Sequence, residues 1–375
     1  MNKKIWFDPE GDLDVFFSNM DAAVTAGARS LFLLSCDAND FPLDAVNLKL
    51  GGLQVPVFGG IFPQIIHGYS NAVRGTLVCA LDVTVEVHHV ECLSDPETDI
   101  AARISGFDAA LQAMPTIMVL LDSVASRITP VLDATYDALG MNRHYLGGGA
   151  GSLNFIQKPC LFSNAGVLAD AAQLVGMPMN CGVEVGHGWQ VLSGPFLVTR
   201  SEGATIHELD YRPAFEVYRE EVEKVSAQRF DQFPFFEIAN RHPFGLKKWE
   251  GDIIVRETIV RQANSLVCVG EIADGALLYI LTGDADELIR TVGKVSGNLH
   301  IDGGFVVAFD CIGRSLFLGD RYPEEVAAMS NALPGNVPLF GVLTIGEIAG
   351  RDEGCLEFYN KTIVMGALAG GKAPR

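Results

Sequence analysis

Residue types able to do chemistry gather in a few places along this chain. Arg314 and Glu347 suit a small zwitterion: a guanidinium fork grips a carboxylate through two parallel bonds, and a carboxylate accepts an ammonium group. The same two side chains could instead pair with each other or cap backbone, and both readings stand. Asn360 supplies a donor and an acceptor, with Thr362 close by. These four define an expected site for a small carboxylate-bearing ligand, such as an amino acid. Cys311 stands between Asp310 and Arg314 at the end of an apolar run. A nearby cation lowers a thiol's pKa and makes it a nucleophile, with Glu347 or a distant histidine as base. Asp310 opposes that shift and no histidine is close in sequence. We expect a buried, inert thiol, with a Cys-dependent enzyme as the alternative.

Gly147-Gly148-Gly149-Ala150-Gly151 presents successive bare amides, which could receive an anion and make Gly148, Gly149 and Gly151 ligand-binding. The competing role is structural, since glycines let neighbouring backbones approach. The run lacks the Gly-Lys-Ser/Thr ending of a phosphate loop. The 8 histidines form no HxxxH or HExxH pattern. His88 and His89 are adjacent, so strand alternation sends them to opposite faces and no metal site is expected there. His187 is a lone histidine from which an axial haem ligand could come. No cofactor is expected, haem being the alternative.

Positioning such residues requires a scaffold, and the chain repeats one. Three stretches share the order helix, apolar strand, polar turn, second helix, Gly-rich turn. In the first, a helix over 12–26 precedes strands over 31–37 and 55–60. In the second, a helix over 99–113 leads to a strand at 117–123, a helix at 128–139 and the glycine run. In the third, Asp284 caps a helix over 285–295. A strand at 305–311 follows, then a helix opened by Tyr322-Pro323-Glu324-Glu325 and Val337-Pro338-Leu339-Phe340-Gly341. The Gly turns at Gly59, Gly148 and Gly341 are expected on one side of the molecule. The spacing predicts α/β layers: two related halves of sheets packed with outer helices. Further strands are expected over 76–92, 196–200, 205–209, 253–260, 266–270 and 276–281. A Glu-rich helix over 213–225 joins the halves, which divides the chain into domains 1–211 and 212–375.

Composition narrows the function classes. With 49% hydrophobic and 19% charged residues, the 375-residue chain can build a full core. Its formal charge of −19 opposes nucleic acid and anionic membranes. No apolar run approaches a membrane span, and the start resembles no signal peptide, so a cytoplasmic location is expected. The 8 cysteines contain no CxxC pair and read as reduced thiols.

Several motifs then fall into a known order. Asp310-Cys311-Ile312-Gly313-Arg314, Pro338-Leu339-Phe340-Gly341, Gly346-Glu347-Ile348 and Tyr359-Asn360-Lys361-Thr362 resemble the C-terminal FIST signature. Gly148-Gly149-Ala150-Gly151 and Gly188-Trp189-Gln190 resemble the N-terminal FIST module, with His242-Pro243-Phe244-Gly245 and Arg256 fitting the segment between. The resemblance implies a sensory domain in signal transduction that binds a small ligand and acts through a separate signalling protein. Relatives that sense nitric oxide through haem, or recognise partners within F-box proteins, supply the alternatives. One departure concerns the first Gly turn, which reads Gly59-Gly60-Ile61-Phe62-Pro63-Gln64 and lacks the family's hydroxyl and carboxylate.

Overall fold

Three aspartates open three helices in the computed structural model, which describes residues 4–107, 109–248, 253–301, 303–350 and 356–369. Asp12, Asp99 and Asp284 accept from the backbone N–H of Val15, Ala102 and Glu287, each at 2.9 Å. Each bond satisfies one of the orphan donors at a helix start, and each helix heads an equivalent unit.

The first unit runs β1 (Ile5–Asp8), α1 (Leu13–Thr25), β2 (Ser30–Cys36), α2 (Leu43–Gly52), β3 (Val57–Phe62), β4 (Gln64–His67), β5 (Ser70–Ala72) and β6 (Thr76–Leu81). The second has β7 (Glu86–Glu91), α3 (Ile100–Ser105), α4 (Ala109–Gln112), β8 (Thr116–Asp122), α5 (Ile128–Leu139), β9 (His144–Ala150), β10 (Leu161–Ser163), β11 (Gly166–Leu168) and β12 (Ala171–Met177). The third opens with β13 (Cys181–Gly186) and is then interrupted by a module. That module holds β14 (Gln190–Glu202), β15 (Thr205–Leu209), β16 (Arg212–Pro213), α6 (Ala214–Val222), α7 (Phe235–Ala239), β17 (Phe244–Lys247), β18 (Ile253–Arg256), β19 (Thr258–Gln262), β20 (Ser265–Cys268) and β21 (Leu277–Thr282). The unit resumes with α8 (Ala285–Asn298), β22 (Phe305–Cys311), α9 (Ile312–Leu318), α10 (Tyr322–Ala332), β23 (Leu339–Thr344), β24 (Glu347–Gly350), β25 (Leu356–Tyr359) and β26 (Ile363–Leu368).

The three unit sheets share one strand order: β1-β6-β2-β3-β10-β11, β7-β12-β8-β9-β24-β25 and β13-β26-β22-β23-β4-β5. In each, a central parallel pair is joined by a helical crossover, as parallel strands require. The last two strands always come from another unit. The first unit gives its β4–β5 hairpin to the third, the third gives β24–β25 to the second, and the second gives β10–β11 to the first. The exchange is cyclic, and each donated hairpin covers an edge that would otherwise stand open.

Glycine makes the parallel pairs possible. Gly59, Gly147 and Gly341 sit opposite Leu33, Val119 and Ala308 at the same register position. A Cβ there would lie 1.9, 1.8 and 2.1 Å from the facing carbonyl oxygen. The repeat expected from the sequence is therefore real, although the second equivalent residue is Gly147 rather than Gly148. All three lie inside strands, not turns. The sheets enclose one central core, where Phe32 stacks on Phe58 at 4.7 Å and meets Phe340 at 6.0 Å. The helices cover the outer faces with separate apolar clusters.

Two expected strands and one expected helix divide. The alternating stretch 76–92 becomes β6 and β7, which belong to different sheets. The stretch 253–260 becomes β18 and β19, broken at Glu257. The helix over 99–113 splits into α3 and α4. The module has its own sheet, β18-β17-β21-β14-β15-β20-β19 with β16 beside β15, and its own core under α6 and α7. Among the described residues, no helix is long and apolar enough to cross a membrane.

Candidate functional site

The three units share a scaffold but not its polar residues. Glu347 in β24 pairs with Gly148, and the matching residue of the first unit is Ile65, which pairs with Val342. Asp310 corresponds by register to Ser35 and Leu121, and Thr344 to Phe62 and Ala150. Only the third unit places carboxylates at both positions. The departure read in the first Gly turn is thus a change of chemistry: an apolar side chain stands where the third unit carries an acid.

Around that strand end the chain buries a lattice of charge. Arg314, fully buried, gives Nε and Nη2 to Glu325 at 2.9 and 2.8 Å. Its remaining bonds reach the carbonyls of Lys361 and Leu288, each at 3.2 Å, and that of His187. Asp310 lies 3.4 Å from Arg314 and accepts from the Tyr322 hydroxyl at 2.8 Å. Lys361, also buried, forms an ion pair with Glu257 at 2.9 Å, gives a bond to Gly313 O at 3.2 Å, and bonds Asn240. Its backbone has φ of +49°, a conformation a lysine adopts at a cost, and its side chain is fully buried. Gly313 makes room for the partner, because a Cβ there would meet Glu257 Oε2 at 2.7 Å.

Charge balance follows from these contacts. Two cations, Arg314 and Lys361, face two paired carboxylates, Glu325 and Glu257. The other two acids have no such partner to themselves. Burial, and then repulsion from Glu325, pushes Asp310 well above the ordinary carboxylate range. Burial likewise pushes Glu347 well above it, although bonds from Thr344 (2.7 Å), Cys311 and the Thr362 amide (3.4 Å) oppose the shift. The Cys311 thiol is driven up, by burial above all, away from thiolate chemistry.

Above the lattice lies a cavity of about 440 Å³. Its apolar wall includes Phe155, Phe236, Ile259 and Ile345, and its polar floor is Glu257, Cys311 and Asn360. Of the residues expected to bind ligand, Cys311 and Asn360 therefore face open space. Asn360 Oδ1 accepts the Glu257 amide at 3.2 Å, and Thr362 donates to Asn360 O at 2.8 Å, bracing the floor from beneath. Arg314 and Glu347 are fully buried behind it. Arg314 pairs with Glu325 rather than with Glu347, so the expected fork for a ligand carboxylate is already closed.

Gly148, Gly149 and Gly151 do not form an anion nest. The amides of Gly149 and Gly151 donate to Gly346 and Ile61 at 2.8 and 2.9 Å. Their bareness instead admits the Thr344–Gly346 turn, whose atoms a Cβ at Gly148 or Gly149 would strike at 2.7 or 2.4 Å. That turn lines the cavity, so these glycines shape the site from behind. His88 and His89 point apart, His88 to Phe107 and His89 to Gln173. His187 Nδ1 accepts the Trp189 amide at 2.9 Å. Among the described residues no three His, Cys, Asp or Glu side chains gather as metal ligands. Seven cysteines are free thiols, and Cys355 lies outside the described residues.

Sequence reasoning missed Glu257, Glu325 and Lys361. Lys361 stood within the quoted signature, and Glu257 was the one acid in the stretch 253–260 read as a strand, which was the available signal. A larger polar cavity of about 660 Å³, between His144, Glu184 and His300, holds none of these residues. Its wall reaches Gly350, next to segment 351–355 outside the described residues.

Comparison with known proteins bears on most of the chain. Residues 30–212 match the FIST N domain and residues 214–350 the FIST C domain. Over 160 residues the chain is 22% identical to the uncharacterized protein MJ1623 of Methanocaldococcus jannaschii, covering 40% of this chain and 31% of that protein. The match thus spans about a third of that relative's length.

Proposed function

The chain belongs to the FIST family of sensory domains, and from that premise we propose that it is a small-ligand sensor whose ligand occupies the cavity above Cys311 and Asn360. The observation that carries this reading is the cavity itself: about 440 Å³, within the usual range for ligand sites, and apolar with a few convergent polar groups. Its lining comes from separate parts of the fold. Leu153 and Phe155 follow β9, Ile259 and Val260 belong to β19 of the module, Cys311 ends β22, and Ile345 and Gly346 join β23 to β24. A ligand touching all of them favours one mutual arrangement of unit and module, which is what a sensor must do. The response then passes to a separate signalling protein. A carboxylate-bearing ligand held by Arg314 finds no support, because Arg314 is closed by Glu325. Enzymatic use of Cys311 finds none either, since its thiol is held protonated.

The test is retention of a small molecule by the full chain, read by native mass spectrometry after gentle purification. Ile259→Trp and Val260→Trp narrow the cavity from its wall and its exposed rim. Both should lose the retained mass while keeping the wild-type circular dichroism spectrum. Unchanged retention in the two folded variants would put the ligand elsewhere.

A further inference from the structure

Resting on the cavity as the ligand site, we infer that its ligand class is an amine: a small molecule with an apolar body and a cationic or strongly donating head seated on Glu257. Among the described residues lining the cavity, Glu257 is the only charged one, and Asn360 the main other polar group. Glu257 is itself 7% exposed, more than nine-tenths buried. Its Oε1 accepts no hydrogen bond, although the Lys361 ammonium stands 2.9 Å from it as an ion pair. Lys361 instead directs hydrogen bonds to Asn240 and Gly313. A buried carboxylate oxygen that is held by charge alone, at the floor of an apolar chamber, has room to accept a further donor.

An anion fares badly there. It would lose its hydration against apolar walls and meet a carboxylate, with the two nearby cations, Lys361 and Arg314, already paired with Glu257 and Glu325. An ammonium group finds the opposite. Glu257 accepts it through a charge-assisted bond, and the rings of Phe155 and Phe236 in the wall offer faces that attract cations. The rest of the chamber, with Ile259, Val269 and Ile345, suits a hydrocarbon or aryl body.

The experiment titrates the full chain calorimetrically with three probes of one shape: 2-phenylethylamine, 2-phenylethanol and 3-phenylpropanoate. The amine should bind on the order of tenfold or more tighter than the alcohol, as one charge-assisted bond allows, and the carboxylate should show no heat. Glu257→Gln should bring the amine down to the alcohol's affinity and leave the alcohol unchanged. Because that change leaves Lys361 unpaired, Glu257→Gln with Lys361→Met removes both charges and should give the same result in a protein of near wild-type Tm. Carboxylate binding as tight as the amine's, or amine binding unaffected in both variants, overturns the amine class while the cavity reading stands. Absence of binding by all three probes overturns it too. The cavity reading itself falls only if the narrowing variants at Ile259 and Val260 also retain their native ligand.

Discussion

Glu347 shows what a buried acid does when its neighbours supply donors but no cation. Its folded pKa is raised by burial, whereas in the unfolded chain it returns to the ordinary carboxylate value near 4.5. A raised folded pKa means the native state holds a proton that the unfolded state has released. Stability is therefore greatest below pH 4.5 as far as this group is concerned, and falls as pH climbs toward the folded value. Each pH unit across that window removes up to about 1.4 kcal/mol per raised carboxyl. Asp310 acts in the same direction. Glu347→Gln keeps the shape of the neutral acid and cannot ionise. Its urea midpoint should exceed wild type at pH 8, with the advantage shrinking toward pH 5.5, and part of the slope should persist because Asp310 remains. A midpoint difference that does not change with pH would refute the assignment. At this scale the sequence was half legible. It named Arg314, Glu347, Asn360, Thr362 and Cys311 as neighbours, and all gather at one strand end. It did not reveal that Arg314 sits on α9 facing Glu325 of α10, because the stretch after Cys311 read as a turn and a short buried helix carries little pattern.

The elements were the most legible level, for a physical reason. Helix starts were marked by Asp12, Asp99 and Asp284, and the apolar runs of β2, β8 and β22 are buried along nearly their whole length, as strands covered on both faces must be. Breaks were harder to see. Val83, Val85 and Val87 keep alternating through a corner at which the chain leaves one sheet for another. Gly59, Gly147 and Gly341 test whether the repeat is one of mechanism. A methyl group at any of them would collide with the partner strand's carbonyl at 1.9, 1.8 or 2.1 Å. Backbone oxygen cannot move aside without breaking the ladder. Each Gly→Ala change should cost more than about 4 kcal/mol, among the largest single-residue effects, and leave mostly insoluble protein. Gly52→Ala, with nothing within 4 Å of the new methyl, should be neutral or slightly stabilising. Equal solubility and Tm across the four variants would show that the strand pairs tolerate wider spacing.

At the scale of the molecule, the cyclic exchange of hairpins governs how the chain comes apart. β4–β5 of the first unit completes the sheet of the third, and β24–β25 of the third completes that of the second. The sequence could not show this, since β4 has 4 residues and β10 only 3, and such short strands take their partner from the fold rather than from their own pattern. The FIST N and FIST C matches meet between 212 and 214, yet bonds cross that point in both directions. β13, before it, pairs with β26 near the other end. The central core draws Phe32, Met118 and Phe340 from all three units. Cutting the chain at 212 would leave β9 and β23 each without a neighbour and open the core to water, exposing edges that invite aggregation. We therefore expect residues 1–212 and 213–375 to be insoluble or unfolded when expressed apart, and to give folded protein when expressed together. We also expect the three units of the intact chain to unfold in one calorimetric transition with calorimetric and van't Hoff enthalpies in agreement. The module, having its own apolar cluster, is where a separate, earlier transition would arise if one appears. Two halves that each fold alone, with sharp dispersed amide spectra, would mean that the exchanged hairpins decorate the units rather than bind them into one structure.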